Sequence, residues 1–407
     1  METVIERFLR YVKIDTQSEP NSGLHPSTAK QFDLLNLLAK ELEDLGCINI
    51  SLSEEGKLFA LLPATFGLED KATLGLIAHV DTSDAASGKD VKPQIVLFDG
   101  KDIELKNSKV LSIEIFPKLK KFIGKEIIIT DGTTLLGGDD KAGIAEILAA
   151  IAEIVTDNIP HGPIAVAFTS DEEIGEGADF FDVNKFGAKY AFTVDGGAPN
   201  ELEYQNFNAA LGEVTFQGLS VHPGYAKNTM INAATVAMEF NSLLPPDMIP
   251  EKTEGFEGFF HLIEFNGDVS NAKALYLIRE HDAAKFLAMQ QLMLKAQNTI
   301  NEKYGNNTCK VNIKGQYRNM GEVVSQYPEL LEIANKSIKE ANLVPEISPI
   351  RGGTDGSKLS FMGLPCPNLG TGSYNAHGEC EFAVIEEMNQ MVTIVKNIIK
   401  EFAKSGI

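Results

Sequence analysis

Apolar residues in the first 45 or so positions recur at helical spacing, with Leu35, Leu37, Leu38 and Leu42 forming part of one stripe. The polar stretch Ser18-Glu-Pro-Asn-Ser-Gly separates two helices there. Beyond it the pattern changes. Short apolar runs at 74–78, 164–168 and 191–194 alternate with amphipathic stretches such as Ile144, Ile147, Leu148, Ile151 and Ile154, spaced as one helix face. This alternation predicts an α/β fold, a mixed, largely parallel sheet flanked by helices.

Near residue 207 the texture shifts to strand-like runs at 210–216, 258–265, 273–280 and 309–313, interleaved with helical patterns at 231–244 and 283–301. These define an α+β insert over 207–320. Helical patterns at 330–341 and 385–402 then restore the α/β texture, so residues 1–206 and 321–407 are expected to form one catalytic domain interrupted by the insert.

Composition narrows the function. The 407 residues, 43% of them apolar, suffice for two cores. A net charge of −21 repels phosphate backbones and anionic lipid, so neither nucleic acid nor a membrane surface is an expected partner. The start of the chain lacks the pattern of a signal peptide, and no apolar run reaches spanning length, so a cytoplasmic location is expected. Cys47, Cys309, Cys366 and Cys380 are scattered without a Cys-x-x-Cys, which leaves oxygen and nitrogen ligands for any metal.

Candidate chemistry clusters directly after the apolar runs, where sites assemble in open α/β sheets. Leu74–Ala78 leads into His79-Val-Asp81, and residues two apart on a strand face the same side, so Asp81 can orient the His79 imidazole. Gly137-Gly-Asp139-Asp140-Lys-Ala-Gly143 precedes a helix; one aspartate there reads as a cap, but two adjacent ones repel unless a cation or donor compensates. Asp171-Glu172-Glu173 follows the next run, Asp195-Gly-Gly the one after, and His377-Gly-Glu379 closes the series. Each cluster alone also fits a solvated loop. Five together, all beside glycine turns, describe a carboxylate-bridged dinuclear metal site.

These stretches, with Val221-His-Pro-Gly and Arg351-Gly-Gly-Thr-Asp-Gly, resemble the tripeptide-cleaving aminopeptidases among the M20 metallopeptidases over essentially the whole chain. The resemblance implies two divalent metal ions, zinc by family habit, one on His79, Asp139 and Asp195 and the other on Glu173, Asp139 and His377. It further implies a cis peptide between Asp139 and Asp140, Glu172 as general base, and hydrolysis of short peptides, mainly tripeptides, by a metal-activated water. His222 would help stabilise the oxyanion. Arg351 and Arg279 would grip the peptide carboxylate, although Arg351 could instead pair with Asp355. The insert is expected to act as a lid and as a homodimer surface. A dipeptidase or acyl-amino-acid amidohydrolase of the same family keeps the same ligands, and a noncatalytic scaffold would be expected to lose Glu172 or a ligand.

Overall fold

A computed structural model describes residues 2–406, which divide into two compact units. The first comprises the chain up to Tyr204, Glu322–Ser348 and Thr354 onward; the second comprises Gln205–Gly321 with Pro349–Gly353.

The first unit is built on an eight-stranded sheet in the order Ile48–Leu52, Leu58–Leu62, Ile164–Thr169, Leu74–His79, Tyr190–Gly196, Asn368–Gly370, Glu201–Glu203, Glu346–Ile347. Its centre is parallel: Leu74–His79 pairs in parallel with both Ile164–Thr169 and Tyr190–Gly196, and Asn368–Gly370 with Tyr190–Gly196. The central strands are buried on both faces, which explains why they read as unbroken apolar runs. Parallel neighbours end at the same edge, so His79, Ser170 and Asp195 emerge side by side. The expected fold class holds.

The helix Gly138–Thr156 packs against this sheet and the helices Val4–Tyr11 and Ile385–Lys404. Its apolar stripe is wider than the sequence spacing suggests. Ala145, Ala149, Ala150 and Ala152 are buried as well as the isoleucines, so small residues let neighbours close in around the helix. A second, antiparallel sheet joins Ser373–Tyr374, Phe382–Val384, Glu126–Ile129 and Gln94–Leu97. Among the described residues, no helix is long and apolar enough to cross a membrane.

The second unit is a four-stranded antiparallel sheet, ordered Phe259–Gly267, Asn271–Glu280, Asn208–Gln217, Cys309–Tyr317. Alternate residues Ala272, Ala274, Tyr276 and Ile278 point to one face, where Val236 and Phe240 of one helix and Met289, Met293 and Ile300 of another cover them.

Candidate metal centre

The turn that opens the Gly138–Thr156 helix is not helical at Asp139 (φ −83°, ψ 104°) or Asp140 (φ −122°, ψ 33°), and the peptide between them is cis. The two aspartates consequently point different ways. Asp140 behaves as a cap: one oxygen accepts the Gly143 N–H (3.3 Å) and the other the His79 N–H (3.1 Å). Asp139 faces two imidazoles, with Oδ1 2.9 Å from His79 Nε2 and Oδ2 3.2 Å from His377 Nε2.

Around that carboxylate the remaining ligand candidates converge. His79 Nε2 lies 3.5 Å from Asp195 Oδ1, and His377 Nε2 lies 2.8 Å from Glu173 Oε2. Ligand-capable atoms of His79, Asp139 and Glu173, and likewise of His79, Asp140 and Asp195, fall within 4.8 Å of one another. The residue common to these two groups is His79, while Asp139 contacts His79 through one oxygen and His377 through the other.

Asp81 has a wider part than orienting one ring. His79 Nδ1 sits 3.0 Å from the Asp81 main-chain carbonyl and 3.3 Å from its carboxylate. The two carboxylate oxygens meanwhile accept the N–H groups of Glu172 (3.0 Å) and Glu173 (3.1 Å). One fully buried aspartate thus holds the first imidazole and the loop carrying both glutamates.

Sequence reasoning gave Glu381 no role. It accepts N–H bonds from Leu136 (2.8 Å), Gly137 (2.8 Å) and Asp139 (3.1 Å), tying the Asp139 turn to the segment that follows His377. Its partners come from positions 136–139, so no local spacing signals the role. Gly143 also serves closeness: a Cβ there would lie 1.9 Å from the Val194 carbonyl oxygen and 2.5 Å from Asp140 Oδ1.

The electrostatics fit a cation site. Burial, reinforced by the Asp139 charge against relief from His79, pushes the Asp195 carboxyl up to about 7. Burial does the same for Glu173, also to about 7, and drives Glu172 well above the carboxylate range. Bonds to Asp139 and Glu173 raise His377 to about 11. Glu173 Oε1 is buried without a hydrogen-bond partner. Such an orphaned carboxylate oxygen among hard oxygen and imidazole donors suits divalent ions.

The other sequence candidates lie in the second unit. His222 is exposed, its Nδ1 accepting the Gly224 N–H at 3.1 Å. Arg351 donates to the carbonyls of Gly255 (2.8 Å) and Glu257 (3.0 Å) and to Thr253 Oγ1 (3.0 Å), and stacks over Phe207 and Phe259. Asp355, its suggested local partner, accepts from Thr169 Oγ1 at 3.0 Å. Arg279 is nearly buried and donates to the carbonyls of Ala210 (3.2 Å) and Ile278 (3.0 Å).

Comparison with known proteins agrees with the geometry. Residues 131–401 match the model of Peptidase family M20/M25/M40, and the chain is a peptidase of that family. It is 49% identical to Peptidase T of Clostridium novyi over 99% of this chain and 100% of that protein, and 47% identical to Peptidase T of Bacillus velezensis over 98% of each. Within the family the chain belongs to the peptidase T group. In fold it matches aminopeptidase PepT from Bacillus cereus, with a TM-score of 0.79 and 23% identity over 99% of this chain and 98% of that one. A dinuclear metal-binding M20 peptidase from Bacillus subtilis matches with a TM-score of 0.67 and 12% identity over 98% of each chain.

Proposed function

We propose that this chain removes the N-terminal residue from tripeptides, using two divalent metal ions, zinc by preference, in the cytoplasm. The observation that carries the reading is Asp139, one oxygen turned to His79 and the other to His377, with Asp195 and Glu173 completing the two sides. His79, Asp139 and Asp195 would hold one ion; Glu173, Asp139 and His377 the other. Bound there, the ions would supply Lewis acidity to the scissile carbonyl and lower the pKa of water.

Glu172 is the proton carrier in this scheme. Its backbone N–H is held by Asp81, which places it to take a proton from water and return it to the leaving amine, and burial raises its affinity for that proton. Asp81 keeps His79 and the Glu172–Glu173 loop in register. Motif resemblance supports an oxyanion contact from His222 and a grip on the peptide carboxylate from Arg351. Arg279, bonded to main-chain carbonyls of its own sheet, is better suited to a structural duty. Exposed Leu262, Ile263 and Phe265 on the Phe259–Gly267 edge strand support a homodimer through the second unit, which light scattering would test. Four free thiols support the cytoplasmic assignment, which fractionation would test.

One assay series decides the main reading. Purified protein is expected to carry two ions per chain and to cleave free tripeptides faster than dipeptides, tetrapeptides, N-blocked peptides or C-terminal amides. Glu172→Gln should retain both ions and lose at least about a thousandfold in turnover. Metal-loaded wild type without tripeptide hydrolysis overturns the activity; near-normal rates in Glu172→Gln overturn the base.

A further inference from the structure

Asp171 opens the acidic loop, yet it joins neither metal group and touches none of the imidazoles. It is 1% exposed and holds a left-handed backbone at φ 64°, uncommon for a residue with a Cβ. Its carboxylate turns toward the start of the Gln31–Asp44 helix. There Oδ2 accepts the Ser27 N–H (2.8 Å), and Oδ1 accepts the Ser27 hydroxyl (2.5 Å) and the Gln31 side-chain amide (2.6 Å). Gln31 answers with its own carbonyl, which accepts the Asp171 N–H at 3.2 Å. Ser27 is 2% exposed and Gln31 fully buried; a solvated acidic loop needs no such partners.

Together with Asp81, this arrangement occupies three consecutive backbone N–H groups: Asp171 on Gln31, and Glu172 and Glu173 on the two Asp81 oxygens. Ahead of them, Lys57 Nζ donates to the Ser170 carbonyl at 2.8 Å. Fixing those peptide planes fixes the directions in which Glu172 and Glu173 leave the backbone. Misplacement of about 1 Å at a reacting group can cost about a hundredfold in rate.

We propose that Asp171 is a positioning residue: clamped by Ser27 and Gln31, it aims the neighbouring glutamates at the metal site from a segment more than a hundred residues away in sequence. The inference rests on the reading of Glu172 as base and Glu173 as ligand.

The clamp has a built-in test because its polarity can be reversed. Asp171→Asn alone sets an amide against the Gln31 amide, donor against donor. Gln31→Glu alone sets two carboxylates together. Combining the two substitutions restores complementarity with net charge unchanged. The amide introduced at position 171 donates to the carboxylate introduced at position 31, which still accepts the backbone N–H of residue 171, and the oxygen of the new amide still accepts from Ser27.

Each single variant is expected to lower kcat on a tripeptide about a hundredfold with little change in KM, and to weaken zinc binding to the chelated protein about tenfold. The double variant should return both to within a few-fold of wild type. A double variant no better than the worse single, or singles that match wild type, overturns the clamp. Ser27→Ala, which removes the hydroxyl donor to Asp171 and the acceptor of the Glu19 N–H (2.9 Å) but keeps the Ser27 N–H and both Gln31 bonds to Asp171, guards against a single variant that does not fold. It should lower kcat several-fold while remaining folded at the assay temperature, and an unchanged kcat counts against the proposal. Glu172→Gln, assayed alongside, reports on the base alone: should it stay active, the base assignment falls while zinc affinity still decides whether Asp171 positions Glu173.

Discussion

Asp139 and Asp140 share a composition, a position and a turn, but their partners give them opposite duties. Asp140 gives both oxygens to backbone N–H groups, so an amide in its place can keep only one. Asp140→Asn should therefore bind two ions per chain and melt lower, by the equivalent of about 1–3 kcal/mol for a buried group left unpaired. The Asp139 carboxylate meets imidazoles instead. Asp139→Asn should lose at least one ion and nearly all turnover, with the smaller change in melting temperature. Elemental analysis and thermal melts of both proteins check this, and the opposite pattern would exchange the two roles. That a double aspartate exceeds the needs of a helix cap was legible in the sequence, as were the imidazoles and carboxylates placed after apolar runs. Glu381 and the Asp171–Gln31 pair were not. Their meaning lies in backbone N–H groups brought close by folding, from positions 136–139 and from a helix start 140 residues away, and no local spacing encodes such an encounter.

The helix Gly138–Thr156 poses its own problem, because an element buried on nearly every side carries an acid at its middle. Glu146 is fully buried, and neither carboxylate oxygen has a hydrogen-bond partner. Burial pushes its pKa well above the ordinary 4.5. The folded chain then keeps a proton that the unfolded chain releases, so this group costs stability as pH climbs above about 4.5 toward the folded-state value. Glu146→Met keeps the length and removes the charge. It should melt higher than wild type, with a gain larger at about pH 8 than at about pH 5. A variant that melts lower at both would show that the acid has a partner that stabilises the fold. Elements of this size announced themselves in the sequence, since long helices and doubly buried strands impose strong periods. The second sheet of the first unit did not: Ser373–Tyr374 is two residues long, and Gln94–Leu97 is largely exposed, so neither supplies a period to read. Pro349–Gly353 is likewise too short to signal by composition that it clusters with the second unit.

At the level of the whole molecule, the centre gathers side chains spread from His79 to Glu381, and it does so in a chain of net charge −21. The positive groups paired directly with its carboxylates are the imidazoles of His79 and His377. With His377 raised to about 11 and the Glu173 and Asp195 carboxyls near 7, protons balance the cluster at neutral pH when no cation does. Cations and protons therefore compete for the same oxygens and nitrogens. Zinc added to chelated protein near neutral pH should release about one or more protons per chain, read as a dependence of the binding heat on buffer ionisation enthalpy. The sign of the stability effect follows. The His377 ion pairs contribute fully below about 6.5 and are lost progressively as pH rises from there toward about 11, so on their account the metal-free fold weakens above about pH 6.5. Metal affinity climbs between about pH 5 and about pH 8 as proton competition recedes. The rise in melting temperature on adding a fixed excess of zinc should accordingly grow from about pH 5 to about pH 8, and chelation should erase it together with peptide hydrolysis. Binding without proton release, or a zinc-induced gain that shrinks over that range, would mean that the ions occupy groups other than these imidazoles and carboxylates.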